Sequence, residues 1–348
     1  MAMDTLASLT ALCTANGPSG REGLTLDRAA DLLRPLVDQV WQDPFGNVVG
    51  VRRCGQENAR RVVLDAHLDE VGLVITGAKE GFLTFRPVGG IDPRILPDQE
   101  VTILSQPPRL GVVAVLPPHV QKAGEGDKSL DMDQLCLDAG LTQKEGEALV
   151  GTFAVPRSRV RSLLNGRVSG KALDDRAGFV TLLRTAQLLR DVPLDVDLYF
   201  LGSSREETNG GGALVGAFAL DPHCFVAVDV THARTPDGPK EGTFPAGEGT
   251  VIGLGPNIAR WMSRRLMDKA EANQLPYALE VMTGHSGTNA WRVQTAREGI
   301  ATAVLSLPLK YMHSPVETLD LADLETTAAL LAAFVTDLAK EGGVWLAD

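Results

Sequence analysis

From Gly170 to Lys340 the sequence alternates between two periodicities, and this alternation restricts the fold more than any other feature of the 348 residues. Asp175 to Leu189 carries apolar residues at helical spacing, Val196 to Gly202 is an apolar run of strand length, and Gly211 to Leu220 is a helix of small residues. Cys224 to Val230 then reads as a strand, Ala259 to Glu271 as a helix, Thr302 to Leu307 as a strand and Leu321 to Lys340 as a closing helix. Upstream, Asn47 to Val51 and Val62 to Ala66 read as a strand pair, preceded by two helices on either side of Gly17-Pro18-Ser19-Gly20. Alternation of this kind predicts an α/β fold, a mixed open sheet with helices on both faces. Such sheets hold their sites beyond the carboxyl ends of the strands.

One interval breaks the pattern. From Glu70 to Val155 the texture is short Val, Ile and Leu runs, such as Val101-Thr102-Ile103-Leu104, punctuated by Gly89-Gly90 and by Pro93, Pro97, Pro107 and Pro117. It predicts a small β-rich domain, residues 70–155, inserted into a discontinuous α/β domain of residues 1–69 and 156–348. Within it, Gln121 to Asp133 is expected to be a solvated loop leading into a short helix.

Charge narrows the range of partners. Asp and Glu number 44 against 33 Lys and Arg, a net charge of −11 without any dense basic cluster. That balance argues against nucleic acid or an anionic membrane surface as the main partner. No run approaches the ~18 consecutive apolar residues of a membrane span. The first basic residue is Arg21 and Asp4 interrupts the start, so the secretory layout is missing and a cytoplasmic location is expected. Cys13, Cys54, Cys136 and Cys224 form no C-x-x-C pair and are expected to be reduced packing residues.

The strand-end rule can be applied to the chemistry-bearing side chains, and five places answer. His67 and Asp69 follow the run ending at Ala66, and Asp174 and Asp175 follow Gly170-Lys171-Ala172-Leu173. Glu206 and Glu207 follow the run ending at Gly202, Asp229 ends Phe225-Val226-Ala227-Val228, and His313 lies beyond Leu307. Any of these alone reads as a cap, a turn residue or a satisfied structural group. Together they form a mixed nitrogen and oxygen set suited to divalent zinc, cobalt or manganese. Two cations ~3.5–4 Å apart need a bridging carboxylate and acidic terminal ligands. Asp174 is the candidate bridge, with His67 and Asp229 completing one ion and Glu207 and His313 the other. Glu206 is then free to act as general base on a water between the ions and to pass the proton to a leaving amine. On extended backbone, adjacent side chains diverge, which would separate the roles of Glu206 and Glu207. Asp69 is placed to accept the second imidazole N–H of His67 and fix its tautomer.

These residues carry a family resemblance. AHLDEVGL (Ala66 to Leu73), GKALDDRAG (Gly170 to Gly178), REE (Arg205 to Glu207), VDV (Val228 to Val230) and YMHSPVE (Tyr311 to Glu317) resemble the signature motifs of the M42 metallo-aminopeptidases. That family includes glutamyl and tetrahedral aminopeptidases. Phe82 to Ile103 and Leu137 to Glu145 resemble its dimerisation domain, so the likeness spans nearly the whole chain. It implies two zinc or cobalt ions per subunit, short peptides as substrates, and a homodimer that assembles into a homododecamer. It also implies that His67, Asp174, Glu207, Asp229 and His313 are the metal ligands and Glu206 the catalytic base. The chain departs from the pattern at EETNGGGA (Glu206 to Ala213), at Lys310 before the last histidine, and at Asn289 in place of an acid. Three successive glycines predict a permissive loop at Gly210–Gly212, and Lys310 cannot reproduce the bidentate contact of an arginine.

Three rival readings fit less well. A related two-zinc carboxypeptidase or amide deacylase would carry its extra domain between the later ligands, whereas the long gap here lies between His67 and Asp174. A non-catalytic metal-stabilised scaffold has no use for a free base beside a ligand. A glycosidase needs two carboxylates across the scissile bond and leaves His67 and His313 unexplained.

Overall fold

The computed structural model describes residues 4–120 and 130–340. Among these, the strands Arg60–His67, Val196–Ser203, Cys224–His232 and Ala301–Leu309 form the parallel centre of an eight-stranded mixed sheet. Gln39–Gln42 and Val48–Arg52 add an antiparallel edge on the side of Val196–Ser203. On the other side Thr250–Leu254 pairs antiparallel with Ala301–Leu309 and parallel with Tyr277–Val281. The central strands are buried along almost their whole length. Continuous apolar runs are what a strand covered on both faces requires.

Helices cover both faces. Thr5–Thr14, Gly23–Leu33, Leu173–Leu189, Arg260–Ala272 and Leu321–Lys340 share one apolar core with Val62, Leu64, Phe200 and Val226. Gly211–Leu220 and Ala290–Val293 cover the opposite face through Ala213, Ala217, Ala290 and Val293, packed with Val63, Leu201 and Phe225. Val62 and Val63 therefore belong to different cores, as alternation along a strand demands. The mixed α/β arrangement is the one expected from the alternating periodicities. Two elements near the site differ from expectation. Gly170-Lys171-Ala172-Leu173 is not a strand: Arg167–Gly170 is, after which Ala172 turns in the left-handed region (φ 56°). Glu206 and Glu207 are likewise not extended, since Glu206–Asn209 is a helical turn entered through Arg205 at φ 58°.

Between His67 and the strand Arg167–Gly170, six strands close into a barrel with the neighbour order Gly72–Lys79, Phe82–Val88, Leu135–Asp138, Arg109–Val115, Glu100–Ile103, Phe153–Pro156. Closure pairs every edge, and the interior is a separate apolar core of Leu73, Phe85, Val101, Ile103, Val113 and Leu137. Most of the charged stretch expected as a loop, 121–129, lies outside the described residues. Its end forms a single turn, Met132–Gln134, capped by Asp131.

The junction between barrel and sheet is held by a buried ion cluster. Arg176, wholly buried, donates to the carbonyls of Leu12, Ala15 and Leu68, to Thr25 Oγ1 and to Glu70 Oε1. Glu70 also accepts from the Gly17 amide and from Lys171. Burial alone would raise the Glu70 carboxyl, but Lys171 and Arg176 hold it below its ordinary value. Replacing Arg176 with Leu should lower unfolding stability by ~3–5 kcal/mol, the cost of leaving a buried charge and several carbonyls unpaired. Chemical denaturation followed by circular dichroism measures it; a loss below about 1 kcal/mol would show that the cluster is not structural.

Candidate active site

All eight residues singled out by the strand-end rule meet at one edge of the sheet. His67 ends its strand almost fully buried, with Nε2 3.0 Å from Asp174 Oδ1 and 4.0 Å from both Glu206 Oε2 and Asp229 Oδ1. His313 Nε2 lies 3.3 Å from Asp174 Oδ2 and 3.2 Å from Glu207 Oε2. Asp174 thus presents one oxygen to each imidazole. Asp229 is near the end of Cys224–His232, where its Oδ1 accepts the amide of Val230.

The supporting groups explain this geometry. Asp69, fully buried, accepts the amides of both Glu206 (3.0 Å) and Glu207 (3.1 Å), so it caps the helical turn that carries them. Successive residues on that turn point about 100° apart, and this, not an extended strand, separates the two glutamates. Asp69 Oδ1 is also 3.3 Å from His67 Nδ1, but off the line of a good hydrogen bond, and Nδ1 has no well-directed partner.

Two further supports were not singled out from sequence. Glu317 accepts the amides of Leu173 and Asp174 with Oε2 and that of His313 with Oε1, tying the bridge candidate to the last histidine. His313 Nδ1 donates to the carbonyl of Gly90, 2.6 Å away, which leaves Nε2 facing the carboxylates. Gly90 belongs to the segment that contains the barrel. A Cβ there would sit 3.3 Å from His313 Nδ1, and one on Gly89 (φ 81°) 2.9 Å from Val71. The Gly89-Gly90 pair in the sequence was the available signal for this close approach. Glu317 closes the YMHSPVE motif, which marked its presence but not its function.

Asp175 is the remaining carboxylate at the site. With His67 and Asp229 it forms one set of three groups able to hold an ion, while His67, Asp174 and Glu207 form another. Its oxygens are already engaged, Oδ2 by the His67 amide and Oδ1 by that of Gly178. Asp174 offers both of its oxygens to imidazoles and is the better donor.

The departures resolve by location. Asn289 is buried behind the site and donates to Asp65 Oδ2 and Ser203 Oγ; an acid there would face the Asp65 carboxylate, already pushed up to about 7 by burial. Lys310 is half-buried and pairs through its backbone with Thr318. The expected permissive loop is not one at Gly212, where a Cβ would come within 2.2 Å of the Ser204 carbonyl. Gly211 and Gly212 start a helix, packed too closely for any side chain at Gly212.

Electrostatics set the character of the site. Burial pushes Asp175 and Asp229 well above the usual carboxylate range, raises Glu207, and takes Glu206 to about 8. Burial would depress both histidines, but their carboxylate contacts outweigh it: His67 is held well above its ordinary value, and His313 reaches about 11. Burial likewise opposes ionisation of Asp174, yet hydrogen bonds from His313 and His67 hold it below the usual range. Carboxylates outnumber the imidazoles they face. Two imidazoles and three or more carboxylates around a water-accessible cavity of about 260 Å³ fit divalent ions.

Comparison with known proteins gives a consistent result. The family model described as M42 glutamyl aminopeptidase matches residues 46–330. The lysyl aminopeptidase of Pyrococcus furiosus is 33% identical over 330 residues, covering 92% of this chain and 94% of that protein. The structure superposes on an aminopeptidase of the archaeon Desulfurococcus kamchatkensis with a TM-score of 0.88, at 32% identity, covering 98% of this chain and 99% of that one. The Pyrococcus horikoshii TET1 peptidase, described as assembling into a tetrahedron or a large octahedral shell, superposes with a TM-score of 0.82 at 30% identity, covering 97% of this chain and 100% of that chain.

The titration pattern predicts how the ion-free protein behaves. Carboxyls raised in the fold bind protons more tightly than in the unfolded chain, so their effect on stability worsens as pH climbs from 4.5 towards about 8 for Glu206. The raised His313 contributes stability fully present below 6.5 and lost as pH rises towards about 11. Both act in one direction, and the melting temperature of chelator-treated protein should fall as pH rises from about 5 to about 9. Zinc or cobalt should reverse the loss, by ~2.7 kcal/mol at a hundredfold excess over Kd, and Asp174→Asn should weaken that rescue. A flat or rising melting curve with no response to ions would refute the assignment.

Proposed function

The chain belongs to the M42 glutamyl aminopeptidase family, and on that premise we propose that it hydrolyses the first peptide bond of short peptides, with His67, Asp174 and Asp229 holding one divalent ion and Asp174, Glu207 and His313 holding a second. The observation that carries the reading is Asp174, whose two oxygens face two imidazoles from opposite ends of the chain. Zinc and cobalt suit this donor set best, with manganese also compatible. Bound there, the ions would act as Lewis acids on the scissile carbonyl and supply a nucleophilic water at neutral pH.

The remaining steps belong to the protein. Glu206 has no amide or imidazole hydrogen bond to its carboxylate among those described, since Asp69 takes only its backbone amide, and the carboxylate is free to accept a proton. It takes the proton of the attacking water and delivers it to the nitrogen of the departing peptide. Asp69 fixes the turn that aims Glu206, through its hold on both amides. The Gly90 carbonyl fixes the His313 ring in rotation and tautomer, and Glu317 holds the His313 backbone amide. The small cavity suits the end of a peptide more than a chain passing through it.

Assembly and compartment follow from the same reading. Residues 70–155 form the dimerisation domain inserted into the catalytic domain of residues 1–69 and 156–348, and dimers build a dodecamer. Phe82, Leu110 and Val112 on the barrel expose apolar side chains that a second copy would cover. All four cysteines are unpaired, which suits the reducing cytoplasm. No helix among the described residues is long and apolar enough to cross a membrane.

Two measurements test the mechanism. Glu206→Gln should lower kcat by ~10³-fold or more, within the range of lost general-base catalysis, while metal content stays near that of the parent protein. Peptides with acetylated N-termini should resist cleavage where free ones are cut. Retained turnover in the variant removes Glu206 as base, and equal cleavage of acetylated peptides removes the aminopeptidase reading.

A further inference from the structure

One carboxylate in the cavity is not accounted for by ions or by the catalytic steps. Glu280 lies on Tyr277–Val281, the edge strand of the main sheet, and its side chain lines the cavity that also contains Asp174, Glu206 and His313. It takes part in neither set of groups able to hold an ion. Thr231 Oγ1 donates to Glu280 Oε1 at 3.0 Å, while Oε2 is shielded from water and has no hydrogen-bond partner. Thr231 is itself buried and stands two residues beyond Asp229 on the same strand. The carboxylate is therefore held at a fixed offset from the centre where the bond would be cut.

A half-buried carboxylate with a free oxygen is costly unless something pairs with it. Burial pushes the Glu280 carboxyl above its ordinary value, and of the neighbouring charges only His232 acts against this. No lysine or arginine lines the cavity among the described residues. Met282 and Met312 line the same cavity, flexible apolar side chains suited to an unbranched alkyl stem. Apolar thioether side chains and an acid with one unsatisfied oxygen and no cationic partner, in one cavity, are complementary to a long side chain with a cationic head. A leucine could use the thioethers but would leave the acid unpaired, and a glutamate would meet it with like charge.

Resting on the aminopeptidase reading above, we propose that this protein selects peptides whose first residue is lysine or arginine, and that Glu280 is the specificity-determining residue that pairs with the cationic head. The structure supplies a reason for the selection to be strong, because a site built around a buried polar group rejects ligands that cannot satisfy it.

The test compares the p-nitroanilides of lysine, arginine, leucine and glutamate on the cobalt- or zinc-loaded protein. Lysine and arginine should exceed leucine in kcat/KM by ~10-fold or more, with glutamate the poorest. Glu280→Gln should reduce the lysine-to-leucine ratio at least ~5-fold, and calorimetry should find L-lysine binding the parent protein more tightly than L-leucine. Overturning results are leucine or glutamate turned over as well as lysine, a ratio that changes less than this in the variant, or L-leucine binding as tightly as L-lysine. Release from leucine without preference for lysine leaves the aminopeptidase reading intact and removes only the charge selection. Release from none of the four substrates overturns both.

Discussion

Asp174 is the carboxylate around which this molecule is organised, with one oxygen 3.0 Å from His67 and the other 3.3 Å from His313. The three residues come from parts of the chain far apart, His67 and Asp174 being separated by 107 positions. A buried acid between two imidazoles is stable only if each is held in orientation, and much of the surrounding structure does this. Glu317 takes the amides on both sides of the junction, Asp69 takes those of the two glutamates, and Gly90 takes the outer nitrogen of His313.

The barrel is part of that arrangement. It has its own core and closes on itself, yet the segment containing it reaches the centre through the Gly90 carbonyl, where any larger residue would press on His313. The Glu70, Lys171 and Arg176 cluster binds the start of that segment to the helices and to Leu68, next to His67. Buried charge in this protein is thus of two kinds. In the cluster, one carboxylate meets two cations, and backbone carbonyls take the remaining donors of Arg176. At the centre, carboxylates exceed the imidazoles, and only added cations complete the pairing.

The gathering of the site residues was readable in the sequence because strand ends in an α/β sheet converge by topology. An apolar run followed by His, Asp or Glu is visible without coordinates, and His67, Asp69, Asp174, Glu206, Glu207, Asp229 and His313 all lie at one edge of the sheet. Local backbone geometry was less legible. Ala172 and Arg205 adopt left-handed conformations that their residue types do not advertise, so Gly170 to Leu173 was expected as a strand and the Glu206-Glu207 pair on extended backbone.

What the sequence determined by itself was the order of elements, the α/β class, the interruption by a β-rich segment and the set of residues able to bind metal. Periodicity and residue chemistry are local properties, and a local reading suffices for them. Only the tertiary structure decided the supporting contacts: Asp69 under the glutamate turn, Glu317 across two loops, Gly90 against His313, and Asn289 facing Asp65 behind the site. It alone also brought Glu280, from the far edge of the sheet, to the hydroxyl of Thr231 and into the cavity. Each of these joins residues from different elements, and hydrogen-bond partners over such separations are set by how the sheet, helices and barrel pack, which no short stretch of sequence encodes.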